Sequence, residues 1–227
     1  MKRVITVLLA VLLVLSLAAC GSGVETKKLA GTWTCTVDVT DRMNAAAEQA
    51  LGLSAADGAA QMPLQLVLTV AEDGAYTLRY DSDAVRTALD AYAAALHPAA
   101  VESVYAAAEE QGFSREEYDA AMEKAGITMD DMVAAIFAGV DEEELLSLLT
   151  GRSAALTGYC RAEGGQLHLA DTAAELAETA DCLSYTLSDG TMTWTDAQGE
   201  LSSQLTEQEQ ELLRVPLTWT KQAEESK

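Results

Sequence analysis

The chain has 227 residues, 36 of them acidic and 14 basic, for a formal net charge of −22. A surface of that sign repels phosphate backbones and anionic headgroups, which excludes nucleic acid as an expected partner. Aromatic residues make up only 5% and prolines number three, a composition suited to a large helical share.

At the N-terminus, Lys2 and Arg3 precede an apolar run from Val4 to Ala19, and the small pair Ala18-Ala19 stands directly before Cys20. The run is shorter than the about 20 residues a bilayer-spanning helix requires, and its flanks are those of a signal peptide. Leu17-Ala18-Ala19-Cys20 resembles the lipobox of bacterial lipoproteins. The resemblance implies that residues 1–19 are a signal peptide and that the Cys20 thiol carries a diacylglycerol. It also implies residence on the extracytoplasmic face of the cell membrane, the membrane being a partner through the N-terminal lipid. Two or more acyl chains anchor stably where one binds marginally. Gly21-Ser22-Gly23 and the residues up to 28 are expected to form a flexible tether.

The next zone, residues 29–80, alternates apolar and polar side chains. Trp33, Cys35, Val37 and Val39 fall on one face of a strand, and the intervening threonines and Asp38 on the other. Thr40 or Asp41 is expected to cap a short helix that runs to about Leu51, with Gly52 at its end. Leu64, Leu66, Leu68 and Val70 then alternate again. Glu72-Asp73-Gly74 turns the chain into Tyr76, Leu78 and Tyr80 as a hairpin.

From about residue 82 to 153 the period becomes helical. Ala84, Val85, Ala88, Leu89 and Tyr92 predict a helix that breaks at His97-Pro98, followed by a second from about Ala99 to Gln111. Ser114-Arg115-Glu116-Glu117 has the form of a capping box and starts a third helix, ending around Gly126. Thr128 or Asp130 begins a fourth, whose Met129, Met132, Val133, Ile136, Phe137 and Val140 make the strongest amphipathic stripe in the chain. Asp141-Glu142-Glu143-Glu144 is expected to open a fifth, bearing Leu145, Leu146, Leu148 and Leu149.

Residues 154–221 return to alternation. Leu156, Gly158 and Cys160 share a face, Gly164-Gly165 turns into Leu167-His168-Leu169, and Leu183, Tyr185 and Leu187 alternate up to Asp189-Gly190. Met192 and Trp194 follow. After a short acidic helix predicted around Thr206–Leu213, Leu217 and Trp219 form the last strand.

These segments predict an α+β chain: an eight-stranded antiparallel meander, closed into a barrel so that no edge is exposed, with the helical segment inserted between strands 3 and 4. Leu29-Ala30-Gly31-Thr32-Trp33 resembles the Gly-x-Trp opening of the first strand in lipocalins and lipocalin-like bacterial lipoproteins. The resemblance implies a lipocalin-like barrel domain over residues 29–221, a tail at 222–227, and a tryptophan plugging one barrel end beneath a basic side chain, either Arg214 or Lys221. The helical insertion departs from the family. Trp33, Leu66, Leu78, Tyr80, Leu156, Tyr185, Met192, Trp194 and Trp219 are the expected barrel lining, either filling the lumen or surrounding one small apolar ligand.

Catalytic constellations are not evident. Cys35, Cys160 and Cys182 remain beyond the lipidation site, an odd number with no Cys-x-x-Cys; buried thiols with at most one bridge are the expectation. His168 is expected to face solvent, and neither it nor His97 has a second histidine at metal-binding spacing. Asp130-Asp131 and Asp141–Glu144 lack the ligand spacing of an EF-hand. The chain therefore reads as a non-catalytic, cofactor-free binding domain whose insertion acts as a lid. The alternative is an envelope module that uses its acidic helical insertion to dock a protein or a cationic glycopolymer.

Overall fold

The computed structural model describes residues 24–53, 60–138, 147, 155–178, 182–198 and 213–223. The lipobox segment, Gly139, Val140, the fifth predicted helix apart from Ser147, and most of the acidic helix predicted at 206–213 lie outside the described residues. Eight strands close into one antiparallel barrel in which each is bonded to its sequence neighbours. They are β1 (Gly31–Asp38), β2 (Pro63–Val70), β3 (Ala75–Tyr80), β4 (Leu156–Glu163), β5 (Gln166–Ala170), β6 (Cys182–Ser188), β7 (Thr191–Gln198) and β8 (Leu217–Lys221). Closure comes from β1 against β8, with Trp33 opposite Lys221 and Thr34 opposite Thr220.

The period-2 pattern that predicts the strands is also what fills the inner face. Trp33, Cys35 and Val37 of β1 are buried, as are Leu64, Leu66, Leu68 and Val70 of β2. Register carries that face around the sheet. Leu66 is opposite Tyr80 and Leu68 opposite Leu78, while Leu78 in turn faces Leu156. Ala162 faces Leu167, and Leu167 faces Leu183. Met192 faces Trp219 and Trp194 faces Leu217. One bulge interrupts the ladder: between β6 and β7 the register shifts at Ser184/Tyr185, leaving Thr195 as the extra residue.

The barrel has two unlike ends. At one, the β2–β3, β4–β5 and β6–β7 connections are tight turns. Gly164 and Gly165 have φ of 61° and 78°, and Asp189 and Gly190 have 46° and 76°, the paired left-handed conformation a two-residue hairpin turn of right twist demands. At the other end β1, β3, β5 and β7 finish and β2, β4, β6 and β8 begin.

Residues 24–29 form a helix, α1, at the turn end. Of the expected tether of 20–28, residues 24–28 are therefore helical, and 20–23 lie outside the described residues. Thr26 is 6% exposed, and its hydroxyl accepts the Ala162 N–H at 3.0 Å. The Glu25 carboxylate accepts the Gly164 N–H at 2.7 Å. Gly-Ser-Gly composition argues for a leash, but the acceptors of Glu25 and Thr26 are drawn in by the amides of Gly164 in the turn and Ala162 in β4, which local sequence does not reveal. Gln222, the first residue of the expected tail, is bonded to β1: its N–H donates to the Thr32 carbonyl at 2.8 Å and its side-chain amide to Thr34 Oγ1 at 2.7 Å.

Two compact units divide the chain: Met1–Cys35 with Leu66–Tyr80 and Ala154–Lys227, and Thr36–Gln65 with Asp81–Ser153. The second holds helices α2 (Thr40–Leu51), α3 (Ser82–Glu110), α4 (Arg115–Ala125) and α5 (Met129–Phe137), so the helices do stand between β3 and β4, joined by α2 from the β1–β2 connection. Its described core gathers Leu53, Ala100 and Val133, with Leu51, Val101, Ile136 and Phe137 packed against them. Tyr92 on α3 donates its hydroxyl to Asn44 on α2 at 2.7 Å.

Three helix expectations need correction or refinement. Neither Thr40 nor Asp41 caps α2; Val39 is the N-cap and contributes no side-chain bond, while Asp38 Oδ1 accepts the Thr40 N–H at 2.9 Å. The Thr40 hydroxyl is drawn off to accept the Met62 N–H. No break occurs at His97-Pro98: α3 is one helix of 29 residues with Pro98 inside it. Pro98 is exposed, and buried Leu96 and Ala100 on either side hold both halves to one packed face, which outweighs the lost backbone bond. Capping boxes open α4 at Ser114 and α5 at Thr128, and Gly126 ends α4 in the left-handed conformation.

Candidate functional site

The candidate site is the inner face of the barrel unit. Its best-defined part is at the turn end. Trp33 is buried and its Nε1–H donates to the Leu29 carbonyl at 2.8 Å, tying α1 beneath the barrel. Lys221 Nζ stands 5.3 Å from the centroid of the Trp33 ring, a cation–π contact. Of the two basic side chains open to that role, Lys221 fills it. Gly31 has φ of 127°, and a Cβ there would fall 2.7 Å from Lys221 Cε. The glycine two residues before the tryptophan thus clears the path of the lysine stem. That is the physical content of the Gly-x-Trp motif in this chain.

Farther in, Trp194 and Trp219 stack obliquely, their ring centroids 4.8 Å apart. Met192 and Trp219 are fully buried and Trp194 is 6% exposed. Neither Trp194 Nε1 nor Trp219 Nε1 has a hydrogen-bond partner among the described residues. An indole N–H can only donate, and leaving one buried and unpaired costs roughly 1–3 kcal/mol. Two such donors lie on one wall.

Register puts the nine expected lining residues on one face, with unequal surroundings. Trp33, Leu66, Met192, Trp194 and Trp219 are buried. Leu78, Tyr80 and Leu156, at the end of β3 and the start of β4, stay partly accessible. Tyr185 lies toward the turn end. It shares the face of Trp194, but β5 is too short to reach it, and its N–H donates to Gly165 at the turn end. It is a rim residue.

Cys35, Cys160 and Cys182 are buried thiols that form no disulfide with one another. Burial pushes the Cys160 thiol up to about 12, helped by the nearby Asp73 charge. Burial also raises Cys35, against a smaller opposing effect from a hydrogen bond with the Thr218 backbone. Both are therefore protonated, unreactive fillers of the inner face. The inner face is tight at Gly158, two residues before Cys160: a Cβ there would meet the Ala170 carbonyl at 2.5 Å and the Tyr76 ring at 2.9 Å.

Sequence reasoning missed one outer-face row. Arg161, His168 and Cys182 are cross-strand neighbours on β4, β5 and β6. His168 is half-buried rather than solvent-facing, and its Nδ1 has no hydrogen-bond partner among the described residues. The alternation places it outside the barrel correctly; helix α6 (Ala173–Leu176), which packs against β4 and β5, is too short to show as a periodic stripe. His97 Nε2 lies 3.0 Å from Asp130 Oδ1 in the helical unit. Among the described residues no group of three or more His, Cys, Asp or Glu gathers to hold a metal ion.

No family model matches the chain, and no curated protein or solved structure matches it either. Among the described residues, no helix is long and apolar enough to cross a membrane.

Proposed function

We propose that this chain is a bacterial lipoprotein, held at the extracytoplasmic face of the cell membrane by lipid on Cys20, whose lipocalin-like barrel binds a small apolar molecule without transforming it. One observation carries the binding reading. The barrel is closed by side chains and α1 at its turn end, while inward-facing Leu78, Tyr80 and Leu156 remain partly accessible toward the other. Apolar concavity sealed on one side is the usual form of a small-molecule site. The Gly31, Trp33 and Lys221 arrangement supports the lipocalin-like reading, and the Leu17–Cys20 sequence supports the anchor.

The test is direct. Protein purified from its own host is examined by native mass spectrometry, then stripped and titrated with N-phenyl-1-naphthylamine while tryptophan emission is followed. Saturable one-to-one quenching is expected; a flat titration together with ligand-free native spectra refutes the binding reading. The anchor is tested separately: Cys20→Ser is expected to move the protein from the membrane to the soluble fraction and abolish metabolic labelling by an alkynyl fatty acid.

A further inference from the structure

We infer that the barrel's ligand carries a neutral hydrogen-bond acceptor, a ketone, ester, amide or ether oxygen, received by the indole N–H groups of Trp194 and Trp219. The inference rests on the binding reading above and specifies its chemistry. Trp219 on β8 is opposite Met192, and Trp194 on β7 is opposite Leu217, so both indoles project from one wall onto the inner face. Their rings touch, both are more than nine-tenths buried, and both Nε1 atoms lack a partner among the described residues.

Trp33 is the contrasting case. Its donor, equally buried, is satisfied by the Leu29 carbonyl. Among the described residues there is thus an acceptor for the indole that seals the turn end and none for the pair above it. A purely hydrocarbon ligand would leave both donors unpaired, whereas an acceptor-bearing one recovers them. Neutrality follows from the surroundings. Indole donors bring no formal charge, the lysine of this face is engaged over Trp33, and the chain carries a net charge of −22. A buried carboxylate would lack a counter-ion.

The experiment compares dodecan-2-one with 2-methyldodec-1-ene, in which CH₂ replaces the carbonyl oxygen, by displacement of N-phenyl-1-naphthylamine from the intact protein. The ketone is expected to bind at least about tenfold more tightly, as one or two net hydrogen bonds imply. In the ¹⁵N-labelled protein, the Nε1–H resonances of Trp194 and Trp219 should move on ketone binding, with Trp33 as the unmoved internal control. Trp194→Phe/Trp219→Phe should bring the two ligands within about twofold of each other. Equal binding of both, with no indole shift, overturns the acceptor inference while leaving apolar binding intact. Failure of both to displace the probe defeats the two together. Dodecanoate binding more tightly than the ketone overturns neutrality. The resonance readout uses the wild-type chain and stands even if the double variant does not fold.

Discussion

Cys160 shows how far one side chain's chemistry is set by position. Its thiol ordinarily titrates near 9.0 and here sits at about 12 because burial removes the thiolate from water. At pH 8 the thiolate fraction is thus about a thousandfold below that of the unfolded chain. Iodoacetamide labelling located by mass spectrometry should leave Cys160 unmodified in the native protein and modify it rapidly in urea. The sign of the linkage follows. A folded pKa above the unfolded one contributes stability that is complete below pH 9 and is lost as pH rises from 9 toward 12. Denaturation midpoints measured across that window should fall, and Cys160→Ala should flatten part of the decline.

At this scale the sequence was legible wherever a residue's role depends on its own strand. Trp33, Leu66, Met192, Trp194 and Trp219 are buried where alternation places them. It was illegible where the partner is remote. Thr26 binds an amide 136 residues away, and the choice of Lys221 over Arg214 depends on the closure of β8 onto β1. Tyr185 keeps the expected face opposite Trp194, but strand length, not periodicity, puts it at the turn end beside Gly165.

Helix α3 illustrates the same limit in an element. Pro98 reads locally as a breaker, yet the helix continues because packing of Leu96 and Ala100 is tertiary. Pro98 is exposed and inside the helix, so Pro98→Ala should restore a backbone donor and remove the ring's clash with the preceding turn. Chemical denaturation should show a gain of about 1–3 kcal/mol; a loss would mean that the proline is not a burden on this helix. Helix α4 is the opposite case, an element without buried residues. It is held to α3 by Arg115, which pairs with Glu102 at 2.7 Å and Glu109 at 3.2 Å and lies over the Tyr105 ring at 4.7 Å. Tyr105 in turn donates to Asp119 at 2.8 Å.

Hydrogen bonding and the Arg115 charge hold Glu102 below its ordinary 4.5, and the Ser114 capping bonds do the same for Glu117. Depressed carboxylates contribute stability present above their unfolded values and lost as pH falls through the folded ones. Amide exchange should therefore show α4 losing protection below pH 4.5, ahead of the barrel strands. Arg115→Ala should loosen α4 already at neutral pH, and added salt should reduce the difference.

At the scale of the molecule, period-2 stretches on both sides of a helical interval identified the barrel because every inward position obeys one rule. The grouping of α2 with the inserted helices had no such signal: it arises from contacts such as Tyr92 with Asn44 that link segments far apart in the chain. The contact that matters most for the molecule as a whole is the bonding of α1 to β4.

Glu25 and Thr26 fasten the first described residues to the turn end, so only residues 21–23 separate that end from Cys20. Even fully extended, this stretch reaches roughly 14 Å. With lipid on Cys20 as proposed, the barrel would stand on the bilayer floor-down, its tight turns toward the membrane and the opposite strand ends toward the aqueous space. A spin label at Asp189 should then relax faster with a lipid-chelated nickel reagent than one at Asp171; the reverse order would sink this orientation. A ligand of the proposed kind would accordingly arrive from the water side instead of sliding directly out of the leaflet underneath.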